Sequence, residues 1–193
     1  MERKEDDRRV RKTKARLREA LVELLREKRV EEITVTELTR RADVNRGTFY
    51  CHYRDVHQMV EQLEEELFEE FEGLLDAYPA SVLRCGLRPI LQDMFDFVIR
   101  NADIIISTLG SGGEKAFLSK LTVLVQERVV REWSALYHFE SEARRDYCLA
   151  FIVGGVVSLI ERWAAGRGTE NAGEMAALAE EMILRGIEPL GRR

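Results

Sequence analysis

Thr34-Val35-Thr36-Glu37-Leu38-Thr39-Arg40-Arg41-Ala42-Asp43-Val44-Asn45-Arg46-Gly47-Thr48-Phe49-Tyr50-Cys51-His52-Tyr53 is the most informative stretch of this 193-residue chain. Thr34 is placed to cap a helix, and Glu37, three residues on, can return a bond to the Thr34 amide. Ile33 before the cap and Leu38 at the fourth helical position have the spacing of a hydrophobic staple, which sets the angle of entry into the helix. This helix is expected to end near Ala42. Asp43-Val44-Asn45 then reads as a tight turn, because Asp tolerates the left-handed backbone conformation and Asn45 can cap a further short helix over Arg46 to His52.

Ahead of this stretch, Val10, Leu17, Ala20, Leu21, Leu24 and Leu25 place one apolar face on a helix from Val10 to Lys28 whose other face is basic. A supporting helix, a capped second helix, a three-residue turn and a short third helix have the dimensions of a helix-turn-helix unit. On the third helix, Phe49 and Tyr53 lie four apart and can pack inward with Val44 and Leu38. That leaves Arg46, Thr48, Tyr50 and Cys51 facing outward. Arg46 can read guanine through O6 and N7, Thr48 offers a hydroxyl and a methyl, and Tyr50 can reach a phosphate or a base edge. Gly47 lets the backbone come close. Thr34, Thr36, His52, Lys12 and Arg9, with the amides at the two helix starts, can position a duplex without reading its sequence.

Composition agrees with a helical globular protein: 45% of residues are hydrophobic and 34% charged, with only three prolines and 13 glycines to punctuate the chain. An all-α fold of about nine helices is expected. The net charge of −5 conceals a division. Residues 1–60 hold 16 Lys/Arg against 12 Asp/Glu, whereas residues 61–193 hold 14 against 23. Phosphate contacts require local rather than overall positive charge, so a basic N-terminal segment on an acidic body fits a DNA-binding module joined to another domain. The longest nearly apolar run, Leu149 to Ile160, is too short to span a bilayer. The charged start from Met1 to Lys14 offers no secretory signal, so a cytoplasmic location without membrane association is expected. Cys51, Cys85 and Cys148, an odd and widely spaced set, fit reduced thiols.

Beyond the first module, Asp55 and Gln58 form a capping pair opening a long helix from Val56 to about Tyr78, before Pro79. A helix from Pro89 to Asn101, a short apolar element from Ile104 to Leu109 and a loop at Gly110-Ser111-Gly112-Gly113 follow. Helices from Phe117 to about Tyr137, Ser141 to Ala165 and Ala172 to Ile187 complete the chain, with a short Arg-ending tail. The expected domains are 1–55, the helix-turn-helix module, and 56–193, a helical regulatory and dimerisation domain.

The Thr34 to Tyr53 stretch resembles the DNA-binding signature of the TetR family of transcriptional regulators. The likeness covers about the first quarter of the chain closely, and the order of the later helices is similar to that family's ligand-binding and dimerisation domain. It implies a homodimer, a third helix in the major groove, and contacts with double-stranded operator DNA at Thr36, Arg46, Gly47, Thr48, Tyr50 and His52. Asp43 departs from the family's usual glycine in the turn. The Asn-Arg-Gly-Thr-Phe-Tyr wording and Trp163 near the end of the penultimate helix are similar to the dihydroxyacetone-kinase regulators, one branch of which responds to protein partners.

In the second half, Leu149, Ile152, Val153, Val156, Val157 and Ile160, with Gly154 and Gly155, can form a seam shared with a second subunit or bury within one. Met175, Leu178, Ala179, Met182 and Ile183 can complete a four-helix interface. Met94, Phe95, Phe97, Phe117, Trp133 and Tyr137 are candidates for an effector pocket, although such residues at helical spacing are more often ordinary core. The helix after Asp55 is the natural lever between the halves.

No cofactor and no metal site are expected. His52 and His57 straddle a helix break, His138 is remote, and Gly110 to Gly113 lacks a following Lys-Ser/Thr. Asp93 and Asp96 have no nucleophile near them in sequence, so catalysis is not expected. The reading is a sequence-specific DNA-binding regulator, a homodimeric repressor released by an effector. Its rivals are a regulator or coactivator gated by a protein partner, and a nonspecific DNA-binding protein.

Overall fold

The computed structural model describes residues 2–102, 104–105, 114–165 and 170–187. Nine α-helices occur among them, with no strand: α1 (Glu2–Leu25), α2 (Val35–Arg41), α3 (Arg46–Tyr50), α4 (Val56–Asp76), α5 (Ala80–Leu83), α6 (Arg88–Arg100), α7 (Glu114–Leu136), α8 (Glu142–Ala165) and α9 (Ala172–Ile187). A single 3-10 turn, Val30–Glu32, lies between α1 and α2. Two compact units form, Met1–Glu66 with Asp103–Lys115 and Leu67–Ala102 with Ala116–Arg193, so the division falls inside α4.

In the first unit, Leu17, Leu21 and Leu24 of α1 are fully buried with Leu38, Phe49 and Met59. Each such side chain contributes about 1.5–3 kcal/mol by leaving water. Helix α1 begins at Glu2, eight residues before the expected start, because Glu, Arg and Lys sustain a helix without any apolar stripe to announce it. It ends at Leu25 rather than Lys28. Ile33 and Leu38 both enter the core, as the staple requires. The capping box is only half made: the Glu37 amide donates to Thr34 Oγ1 at 3.2 Å, but the Glu37 carboxylate accepts from Lys28 Nζ at 2.5 Å instead of from the Thr34 amide. A full ionic partner outcompetes a neutral amide for the carboxylate.

The second unit is built around Phe95, Trp133, Leu149, Trp163 and Met175. Ala176 and Ala179 keep the contact face of α9 small, which lets it close on α6. Glu180 on α9 then serves α6 from outside its own chain segment. Its Oε1 accepts from the amides of Leu87 at 2.8 Å and Arg88 at 2.9 Å, two donors that a helix start leaves without internal partners. Gly86 beside them has φ +141°, a conformation that a side chain disfavours, and a Cβ there would lie 3.3 Å from the same oxygen. The Trp163 indole donates to the Glu170 carbonyl at 3.0 Å and meets Phe95 edge-on, ring centres 5.2 Å apart.

Helix α8 divides its faces differently from the expected seam. Leu149 and Val153 point into the unit's own core, whereas Tyr147 and Phe151 are about four-fifths exposed. Gly154 and Gly155 have open space where a Cβ would stand. On α9, Met175, Ala179 and Ile183 are buried while Leu178 and Met182 face outward. The apolar run on α8 is thus two faces superposed, which periodicity alone does not separate. A groove of about 660 Å³ runs between the outer faces, lined by Phe151, Gly155, Ser158, Arg162, Met182 and Gly186 among others.

Helix α4 stops at Asp76, two residues early, and α5 follows Pro79; four residues are too few for a periodic signal. Ile104 and Ile105 are helical and buried, while the rest of the expected Ile104 to Leu109 element, the Gly110 to Gly113 loop and the Arg-ending tail lie outside the described residues. No helix among the described residues is long and apolar enough to cross a membrane.

Candidate nucleic-acid interface

The short α3 owes its existence to its two ends and one buried ring. Asn45 Oδ1 accepts from the Gly47 amide at 2.7 Å and caps the start, and a Cβ on Gly47 would sit 3.2 Å from that oxygen. Phe49 is fully buried and packs against Tyr53, ring centres 5.5 Å apart, which anchors the inner face. The turn before it is made as its residues require: Asp43 has φ +50°, in the left-handed region, so aspartate performs there what glycine does more cheaply. The Val44 amide closes the turn onto the Thr39 carbonyl at 3.0 Å.

With Phe49 and Tyr53 inward, Arg46, Gly47, Tyr50 and Cys51 are exposed and Thr48 and His52 half-buried. Tyr50 meets Phe49 edge-on at 5.5 Å, and His52 lies edge-on to Tyr53 at 6.3 Å, so both rings are held by the core rather than loose on its surface. Thr34 and Thr36 are exposed at the start of α2, and Arg9 and Lys12 are exposed on α1. The candidate residues therefore occupy three places: one helix face, one helix start and the outer side of α1.

The basic residues of this unit separate into two groups. Arg16 reaches Asp43 at 2.6 Å, Lys28 reaches Glu37, and Arg41 grips both oxygens of Glu27, at 2.6 and 3.3 Å; these fasten α1 and the turn that follows it to α2 and the turn at Asp43. The last bond holds the Glu27 carboxyl below its ordinary range. Lys12, Arg40 and Arg46 are exposed and make no ion pair among the described residues. Their charge is not spent on protein carboxylates. Lys14, which sequence reasoning passed over, places its ammonium 5.9 Å from the centre of the Tyr53 ring. Its only sequence signal was membership of a basic run.

The helix after the module is capped as expected at one end of the pair: Asp55 Oδ1 accepts from the Gln58 amide at 2.8 Å, and that bond lowers the Asp55 pKa. Gln58 returns its own oxygen to the amide of Arg54, one residue earlier than a standard box. Among the described residues no group of three or more His, Cys, Asp or Glu is placed to hold a metal ion.

Residues 87–185, just over half of the chain, match a TetR-family model described as "Transcriptional regulator C-terminal region". An uncharacterized HTH-type transcriptional regulator of Bacillus subtilis (strain 168), YxbF, is 34% identical over 65 residues; the match spans 33% of this chain and 17% of that protein. A transcriptional regulator (TerR/AcrR family) from Aquifex aeolicus VF5 shares the fold with a TM-score of 0.70 at 18% identity, over 89% of this chain and 97% of the other. The dihydroxyacetone kinase operon activator DhaS shares it with a TM-score of 0.69 at 13% identity, over 92% and 97%. A regulator's C-terminal region over half the chain, behind a capped helix-turn-helix, assigns this protein to the TetR family of transcriptional regulators.

Proposed function

We propose that the chain is a homodimeric, sequence-specific repressor that binds double-stranded operator DNA in the cytoplasm and is released by a small effector. One observation carries the DNA reading: α3 is capped by Asn45, anchored by Phe49, and presents an exposed, unpaired Arg46 at its start. In the major groove Arg46 reads guanine, Thr48 and Tyr50 contact base edges or phosphate, and Gly47 admits the backbone. Cys51 and His52 flank this face. Thr34, Thr36 and Lys12 hold phosphates. The working division is 1–55 for DNA and 56–193 for regulation and dimerisation.

The dimer reading rests on the outward apolar residues of α8 and α9. Phe151, Tyr147, Met182 and Leu178 are large, exposed and clustered on two neighbouring helices, a pattern that marks an association surface. Two-fold pairing there gives two recognition helices for a symmetric site with half-sites roughly 34 Å apart. The test is selection of genomic fragments of the source organism by the purified protein at physiological salt, followed by footprinting. Enrichment of one short two-fold-symmetric sequence supports the reading, and salt-sensitive binding without an enriched sequence overturns it in favour of a nonspecific binder.

A second reading, a regulator or coactivator gated by a protein partner, is supported by the fold shared with an operon activator, DhaS. Binding of DNA only in the presence of a partner copurified from the source organism would favour it.

A further inference from the structure

From Tyr147 to Ile160, helix α8 carries no charged residue, a run of about 21 Å. Its solvent side is a single stripe at helical spacing: Tyr147, Phe151, Gly154, Gly155, Ser158 and Arg162 are all exposed. A solvent-facing stripe is ordinarily polar, whereas aromatic side chains without charge mark the centre of an interface. The two glycines are unexplained by the subunit itself. Nothing lies within 4 Å of the place where a Cβ of either would stand, and glycine weakens a helix interior. Such positions serve where a second backbone comes close.

The stripe is also its own complement. Tyr147 and Arg162 lie equally far from the Gly154–Gly155 bond, and so do Phe151 and Ser158; the large rings occupy one half and the small side chains the other. Antiparallel pairing about a two-fold axis at that bond sets large on small twice, with each Phe151 over the partner's Ser158. The recess for the ring exists already, in the groove of about 660 Å³ lined by Gly155, Ser158, Met182 and Gly186. Arg162 borders the same groove and makes no ion pair among the described residues, so its guanidinium is available to the ring of the partner's Tyr147. Parallel pairing does the opposite. It sets Phe151 on Phe151, leaves the small half unfilled, and brings Glu161 and Arg162 each against its own like charge.

From this complementarity we infer that the groove is occupied by a second copy of this chain, with the two α8 helices crossing antiparallel at Gly154–Gly155. Phe151 of each subunit seats in the other's groove, and Arg162 of each stacks on the partner's Tyr147. The inference rests on the homodimer reading above and specifies its register and the residue pairs that set it.

Exchange of charge across the axis tests the register in the full-length protein. Phe151→Lys and Ser158→Asp, each alone, are expected to weaken self-association about tenfold or more, since each puts a charge into a contact that holds no counter-charge. Mixed in equal amounts, the two variants are expected to recover dimers, because the new ammonium of one chain meets the new carboxylate of the other. Sedimentation velocity of the separate and mixed proteins measures this, with circular dichroism to confirm that each is folded. If either variant does not fold, the outer pair decides by the same exchange, Tyr147→Lys mixed with Arg162→Glu.

The register and the parent reading fail separately. Two variants that are monomeric alone and stay monomeric when mixed overturn the antiparallel register and keep the surface; association of Phe151→Lys with Phe151→Asp then identifies the parallel arrangement. Variants that both remain dimeric alone overturn the surface as well as the register. A monomeric unaltered protein overturns the homodimer itself and leaves the groove to another occupant.

Discussion

Arg16 Nη2 on α1 lies 2.6 Å from Oδ2 of Asp43, the one described non-glycine residue with positive φ, so the side chain that tolerates the left-handed turn also moors that turn to the supporting helix. Aspartate thereby combines two roles, and the departure from the glycine usual in this family acquires a physical account. Both partners are well exposed, so the backbone role outweighs the ionic one. Asp43→Gly is expected to leave stability within about 1 kcal/mol of the parent, because glycine adopts φ +50° without strain. Asp43→Val is expected to cost about 1–2 kcal/mol or more, since a β-branched residue clashes there. Urea unfolding of both variants at matched m-value measures the difference.

Arg46 and Lys12 are expected to fail in different ways. Arg46→Ala should lose about 1–3 kcal/mol of discrimination at one base-pair position, while binding to other sequences changes little. Lys12→Ala should weaken binding to every sequence and reduce the slope of log K against log salt by about 1. Fluorescence anisotropy on the selected site and on single-base variants, at several salt concentrations, separates the two.

On the homodimer proposed above, removing the outward apolar residues of the last two helices should separate the subunits without unfolding them. Phe151→Glu combined with Met182→Glu alters only side chains that face solvent in the single chain. Sedimentation is expected to show a dimer for the parent and monomers for the double variant, with helical content retained. A variant that stays dimeric places the interface elsewhere.

Glu180 links α9 to the start of α6 through two backbone amides. Glu180→Ala strands both donors and is expected to destabilise by about 1–3 kcal/mol, whereas Glu180→Gln keeps an acceptor oxygen and should recover part of that loss. Amide exchange at Leu87 and Arg88 should quicken in the alanine variant first.

Tyr78 supplies an alkaline signature. Burial, reinforced by the bond to Asp93, pushes its pKa up to about 12 from an ordinary value of 10.0. The folded state therefore holds this proton more tightly than the unfolded chain does, and its contribution is complete below pH 10 and lost as pH rises through about 12. Tyr78→Phe is expected to lose that increment of stability at neutral pH and to show a flatter decline across the window. Thermal unfolding at stepped pH compares the two curves.

Much of this protein can be read from local spacing. Thr34, Asn45 and Asp55 cap helices because a short oxygen side chain reaches an amide two or three residues on, an interaction confined to one turn of chain. The inward pairing of Phe49 and Tyr53 and the left-handed Asp43 follow from helical geometry and backbone sterics in the same way. Such rules require no knowledge of distant residues, so the helix-turn-helix and the outward face of its last helix were legible.

Other features depended on partners far away in sequence. Nothing near Glu37 announces that Lys28 claims its carboxylate, and nothing near Arg88 announces Glu180, 92 residues on. The division of α8 into an inner face with Leu149 and Val153 and an outer one with Phe151 was hidden because every neighbour is apolar; only the helices packed against it distinguish the two. The small apolar cavity lined by Leu91, Met94, Trp133 and Val153 is likewise a remainder left when the helices of the second unit close together. Local chemistry chooses the helices and their ends, while long-range packing chooses which atoms are left over for a ligand or a partner.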